Sequence, residues 1–161
     1  LILRLNVSTF IMFDQNKLAL VIDTTYFNKD HKQLIENFVG KPYRFWESVK
    51  IGGIGSKRMI VKQLSPNLNF IANVISDLNY ANIELRKKGI LIRINKGLKN
   101  FTWAIPFYQL VFYKTNFTSI HAQGRYIHFE NSKTFKENKR FFKVLMDQKL
   151  KFDEQYVLPE S

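Results

Sequence analysis

Apolar positions arrive first in two runs, residues 1–13 and 18–25, parted by Asp14-Gln15-Asn16-Lys17. Two extended apolar runs around turn-forming residues predict a β-hairpin. A short helix is predicted over 31–39: Leu34, Ile35 and Phe38 share one face, Asp30 can cap the start with Gln33 three residues on, and Gly40 and Pro42 stop it. Ser65-Pro66 opens a second helix, a hydroxyl cap followed by a residue whose fixed φ suits the first turn. Leu68, Ile71, Ala72, Ile75 and Leu78 then form one apolar stripe that ends near Asn79.

From Ile83 the period switches to two. Ile83 and Leu85 alternate with Glu84 and Arg86, and Ile90, Ile92 and Ile94 alternate with Leu91 and Arg93. Lys96-Gly97 and Lys99-Asn100 mark turns, and Phe101, Trp103 and Ile105 make a further strand that Pro106 must end. Strands over 109–114, 117–122 and 125–130 follow, the last two joined at Gln123-Gly124. A helix over 134–150, with Thr134 and Glu137 as a capping box, buries Phe135, Phe142, Leu145 and Met146.

Strands followed by one terminal helix predict an α+β fold. The expected form is an antiparallel meander or partly closed barrel of five to six strands, with an N-terminal helix and a C-terminal covering helix, preceded by the hairpin and short helix. The stretch 52–58, Gly-Gly-Ile-Gly-Ser-Lys-Arg, holds three of the seven glycines and reads as a linker. It divides the chain into a hairpin-plus-helix segment 1–51, a core domain 59–152 and a tail 153–161, with Met59 a natural start for an independent unit. The run of strands closed by an amphipathic helix over 80–150 resembles, in topology, the pleckstrin-homology-like barrels of small bacterial domains. Residues 59–161 also resemble small uncharacterised bacterial proteins through Ser65-Pro66-Asn67-Leu68, Asp77-Leu78-Asn79-Tyr80 and Trp103-Ala104-Ile105-Pro106-Phe107-Tyr108. The resemblance implies an interaction module and brings no activity with it.

The absence of cysteine removes disulfides, thiolate metal sites and cysteine nucleophiles together. No apolar run reaches a membrane span, and the expectation is a soluble, cytoplasmic, non-enzymatic protein without a cofactor. Charge narrows the partner. Lys and Arg number 25 against 13 Asp and Glu, a net +12, which favours an acidic protein or anionic surface, with nucleic acid as the alternative. No carboxylate occurs between Leu85 and Phe129, so the positive field concentrates there. Arg86, Lys87, Lys88, Arg93, Lys96 and Lys99 are the candidate polyanion site, forming one patch if the turns at 87–88 and 96–99 share an edge of the sheet.

Three further motifs bear on chemistry. If Gln123-Gly124 is a two-residue turn, Ala122 pairs with Arg125, His121 with Tyr126, Ile120 with Ile127 and Ser119 with His128. Ile120, Ile127 and Phe129 then face the core, while His121, His128 and Glu130 face outward as candidate metal ligands. Gly52-Gly53-Ile54-Gly55-Ser56-Lys57 lacks the P-loop spacing, since Ser56 precedes Lys57 and Arg58 follows. Leu20-Val21-Ile22-Asp23-Thr24-Thr25-Tyr26-Phe27 resembles the strand that carries the first catalytic aspartate of DDE-type transposases, which implies a metal-binding role for Asp23 in a remnant of such an enzyme. Its later acidic partners have no recognisable counterpart here.

Overall fold

A computed structural model of the chain describes residues 2–4, 9–14, 17–71, 78–113 and 118–156, with side chains from residue 19 onward within those ranges. The expected strand residues Lys114 and Phe117 and the stripe residues Ala72 and Ile75 lie outside them. Among the described residues run ten strands: β1 (Ile2–Arg4), β2 (Thr9–Asp14), β3 (Lys17–Asp23), β4 (Met59–Leu64), β5 (Asn79–Arg86), β6 (Gly89–Lys96), β7 (Lys99–Pro106), β8 (Val111–Tyr113), β9 (Ser119–Ala122) and β10 (Arg125–Phe129). The helices are α1 (Lys29–Val39), α2 (Phe45–Ile51), α3 (Lys133–Lys136) and α4 (Lys139–Glu154). The fold is α+β, with one antiparallel sheet in the order β1-β2-β3-β7-β6-β5-β4-β10-β9-β8.

This corrects the strand count and the partly closed barrel. Eight strands, β3 to β10, belong to an open sheet that β1 and β2 extend at one end. A meander closing on itself would need the free edge of β7, and β3 occupies that edge, with Leu20 opposite Ala104 and Asp23 opposite Phe101. The N-terminal hairpin is thus continuous with the strands of the second half. Residues 54–56 also run against β5: Leu85 N–H donates to Ile54 O (2.7 Å) and Ser56 N–H to Ile83 O (2.8 Å).

The predicted alternation sorts residues onto the two faces of the sheet. Ile83, Leu85, Ile90, Ile92, Ile94, Phe101, Trp103, Ile105, Ile120, Ile127 and Phe129 join a core that α3 and α4 roof with Phe135, Phe141, Phe142 and Leu145. The opposite face of β3, β6 and β7 presents Leu20, Ile22, Leu91 and Ala104 to Ile35 and Val39 of α1. A strand covered on both sides reads as a continuous apolar run, which is why Ala19 to Ile22 are all buried.

The sheet curls strongly enough for the β9–β10 turn to meet β7, a distant strand in the order. Gln123 is buried at a positive φ of 57°. Its Oε1 accepts from Trp103 Nε1 (2.8 Å), and its Nε2 donates to Gln109 Oε1 (2.7 Å) and Ala104 O (3.3 Å).

Helix boundaries depart from expectation through their caps. Asn28, two residues before the expected Asp30, caps α1 by accepting from His31 N–H (2.9 Å). Ser132, in place of Thr134, accepts from Phe135 N–H (3.2 Å). Ser65-Pro66 opens a 3₁₀ turn over Pro66–Ile71 that buries Leu68 and Ile71. Ser65 Oγ donates to Asn67 Oδ1 (2.6 Å), and Leu78, expected on the buried stripe, is 45% exposed.

Candidate functional site

The six candidate polyanion residues do not form one patch. The β5–β6 turn carries Lys87 and Lys88, and the β6–β7 turn separates Lys96 from Lys99, so the two groups lie at opposite ends of β6. Seven residue steps at about 3.3 Å each place them roughly 23 Å apart, well beyond the screening length of about 8 Å in physiological salt. Most of their charge is also engaged locally. Glu84 lies 2.7 Å from Arg86 Nε and 2.5 Å from Arg93 Nη2, and Arg86 is buried. Lys96 Nζ donates to Phe70 O (2.7 Å) and Lys87 Nζ to Glu47 Oε1 (2.8 Å). Lys88 and Lys99 are exposed.

The Lys87 end is nevertheless built into something larger. Lys88 N–H donates to Val39 O (2.9 Å) and Lys87 N–H to Lys41 O (3.4 Å), which ties this hairpin turn to the chain leaving α1. That chain leads into α2, a helix that sequence reasoning missed. Its start is fixed by Glu47, whose Oε2 accepts from Arg44 N–H (2.7 Å) while Oε1 holds Lys87. The Lys87 hydrogen bond, and then the Arg44 amide, keep the Glu47 carboxyl below its usual range. Its end is fixed by Gly52 at φ 95°, whose N–H donates to Val49 O (3.2 Å). Beneath it, Tyr43 OH donates to Gln148 Oε1 of α4 (3.4 Å), and burial, then the neighbouring Glu47 charge, push the phenol pKa up.

α2 buries none of its own residues. Phe45 is 71% exposed, Trp46 73% and Val49 58%. The two rings meet edge to face, 5.2 Å between centroids. Lys41 and Arg44 precede these rings in the chain and Lys50 follows them within α2, the Lys87 ammonium is held on α2 by Glu47, and Arg140 of α4 lies near the helix end, its Nη2 3.5 Å from where a Cβ on Gly52 would lie. Within α2 itself the carboxylate is Glu47, already paired with Lys87. The chemistry available is a protruding apolar pair on a short helix that also carries Lys50 and holds Lys87 through Glu47.

A second constellation lies on the outer face of β8, β9 and β10. The expected hairpin register is present, with Ala122 opposite Arg125, His121 opposite Tyr126, Ile120 opposite Ile127 and Ser119 opposite His128. His121 Nε2 lies 2.5 Å from Ser119 Oγ. The His121 ring centroid is 4.4 Å from that of Tyr113 and 5.4 Å from that of Tyr126, whose own lies 4.8 Å from His128. Gln63 of β4 donates from Nε2 to Tyr126 OH (3.0 Å). Burial, and then the charge of His128, lower the pKa of His121. Beside these rings opens a cleft of about 400 Å³ between Lys62, Tyr113, Ser119, His121, His128 and Glu130.

His121, His128 and Glu130 do not converge as a metal site. The imidazole centroids are 5.8 Å apart with the Tyr126 ring close to both. Among the described residues no three metal-ligating side chains of the His, Cys, Asp or Glu type gather to hold an ion. Asp23 ends β3, where its Oδ1 accepts from Thr25 N–H (3.0 Å), a local turn bond. No helix among the described residues is long and apolar enough to cross a membrane. In comparisons with known proteins, no family model, no curated protein and no solved structure matches the chain.

Proposed function

We infer that the chain is a basic interaction module, of pleckstrin-homology-like element order over residues 80–150, which docks peripherally on an anionic lipid surface through α2. The element order is supported by a run of strands followed by an amphipathic C-terminal helix that covers the curled face of the sheet. The docking is carried by one observation: a seven-residue helix that keeps no side chain buried yet exposes Phe45 and Trp46 amid cations. A pair of rings that protrudes rather than lines a groove cannot enclose a small molecule, but it can enter a soft interface. Aromatic rings settle at the level of the headgroups while Lys and Arg face the anionic lipids.

The magnitudes are adequate. Burying a ring contributes about 1.5–3 kcal/mol, and each cation near an anionic membrane about 1 kcal/mol. Two rings with a handful of cations reach roughly 8 kcal/mol, a micromolar affinity.

Sedimentation with phosphatidylcholine vesicles, with and without phosphatidylglycerol, tests the assignment. Association is expected only with the anionic vesicles, weakening as salt rises. Trp46 emission should shift to the blue, and the buried Trp103 provides a constant background. Trp46→Ala and Lys87→Glu should each weaken association severalfold. Failure to associate with anionic vesicles at low salt overturns the docking assignment.

A further inference from the structure

We propose that the cleft between Lys62, Tyr113, His121 and His128 binds a phosphorylated aromatic group, the chemistry of a nucleotide unit, with the phosphate against the imidazoles and Lys62 and the ring on Tyr113. This site is separate from α2 and does not depend on its function. The cleft volume of about 400 Å³ suits one small ligand rather than a protein segment. Its polar groups are donors of the kind a phosphate uses: an ammonium from β4 and two imidazoles from adjacent strands whose centroids are 5.8 Å apart. Tyr113, on the edge strand β8, is 56% exposed and lines the same cleft. An exposed phenol ring offers a stacking face for a base.

Charge around the cleft makes this binding depend on pH. Lys62 faces it from β4, Tyr113 from β8, Ser119 and His121 from β9, and His128 and Glu130 from β10 and the residue after it. Tyr126 stands beside both imidazoles. Near neutral pH, Lys62 and Glu130 cancel, so the imidazoles set the sign of the cleft. Each proton they take up adds one positive charge. At His121, burial and then the charge of His128 oppose that uptake, and a phosphate seated in the cleft beside the imidazoles relieves it. Binding and protonation therefore reinforce each other, and affinity should rise as pH falls below the ordinary imidazole value of about 6.5, by at most about tenfold per pH unit for each coupled proton.

Calorimetric titration of the full chain with adenosine monophosphate, adenosine, inorganic phosphate and a short single-stranded oligonucleotide, above and below that pH, provides the test. Adenosine monophosphate should bind more tightly than either of its parts, more so at the lower pH, and with proton uptake. Lys62→Met and His128→Gln should each weaken it at least tenfold, and Tyr113→Ala should remove the advantage over inorganic phosphate. Trp46→Ala, with its change confined to α2, should leave binding unaltered. An oligonucleotide binding more tightly than the mononucleotide identifies the source as a polymer, and the reverse identifies a free nucleotide. No heat with any phosphorylated probe at the lower pH overturns the proposal. So does binding that survives both Lys62→Met and His128→Gln in variants with unchanged thermal unfolding.

Discussion

Gly89 begins β6 where the β6–β7 pair and the end of α1 come closest. A Cβ there would sit 2.3 Å from Ile105 O, 2.8 Å from Val39 Cγ1 and 2.9 Å from Pro106 Cα. Two of those atoms are backbone, so a side-chain rotation at Val39 alone cannot make room. Gly89→Ala must part β6 from β7 or lift α1, at a cost of about 1–3 kcal/mol or more, read as a lower midpoint in urea unfolding. Gln123 is the complementary case, a side chain holding a backbone that its own residue type disfavours. Gln123→Leu keeps the bulk but strips Trp103 Nε1 of its acceptor. One buried unsatisfied donor costs about 1–3 kcal/mol, so the variant should melt earlier with altered Trp103 emission. His121 contributes a pH term. Its folded pKa lies below the unfolded one, so the folded state binds fewer protons in between, and stability is full above about 6.5 and declines as pH falls through the folded value. His121→Gln should flatten that part of a stability–pH curve, leaving the neutral-pH value close to the parent.

At the scale of elements, the β-rich half was legible and the helices less so. Alternation is a local signal that tertiary context reinforces, since one face of β5 to β7 must be buried, and a slip of one residue would turn Ile90, Ile92 and Ile94 outward. The β9–β10 register followed from the turn, because Gln123-Gly124 leaves no other two-residue pairing. α2 was not legible. Its seven residues are too few for a periodic stripe, and Phe45, Trp46 and Val49 face solvent while Ile51 alone packs toward the core, so no core-seeking stripe exists to detect. The spacing of Arg44 and Glu47 was the available signal, and the start is held by the Glu47 carboxylate accepting from the Arg44 backbone N–H rather than by a favoured N-cap side chain. The helix expected from Ser65-Pro66 to near Asn79 begins on a sound cap motif, yet Ser65 Oγ donates to Asn67 Oδ1 and the first turn tightens to 3₁₀. These differences set an experiment in contrast. Phe45→Ala and Trp46→Ala remove no buried contact and should change unfolding free energy by less than about 0.5 kcal/mol. Phe142→Ala, in the roof formed by α4, should cost about 3–5 kcal/mol. If the α2 variants prove equally costly, the helix is a structural support rather than a docking element.

For the whole molecule, connectivity decides both where charge collects and what can fold. Successive turns of a meander fall at opposite ends of their shared strand, so the lysines at 87–88 and 96–99 were bound to separate once β6 spanned eight residues. That consequence was readable from strand length alone. What strand length could not give was the use of β7 as a shared edge. β3 caps it, and Leu91 and Ala104 on the far face are covered by Ile35 and Val39 of α1. A chain starting at Met59 would lose both. It would keep the core under α4 but leave unpaired N–H and C=O groups along β7, with bare apolar side chains beside them. An uncovered central strand is a template for pairing with another copy. The fragment 59–161 should therefore elute as dimers or larger species in size-exclusion chromatography with light scattering. Its β7 amides, paired on both sides in the full chain and expected to exchange slowly with deuterium there, should exchange quickly in whatever monomer persists. A monomeric fragment that unfolds in one cooperative step with β7 still protected would instead establish the second half as a unit that tolerates loss of its neighbour, and the contact of β3 with β7 as an addition to a finished core.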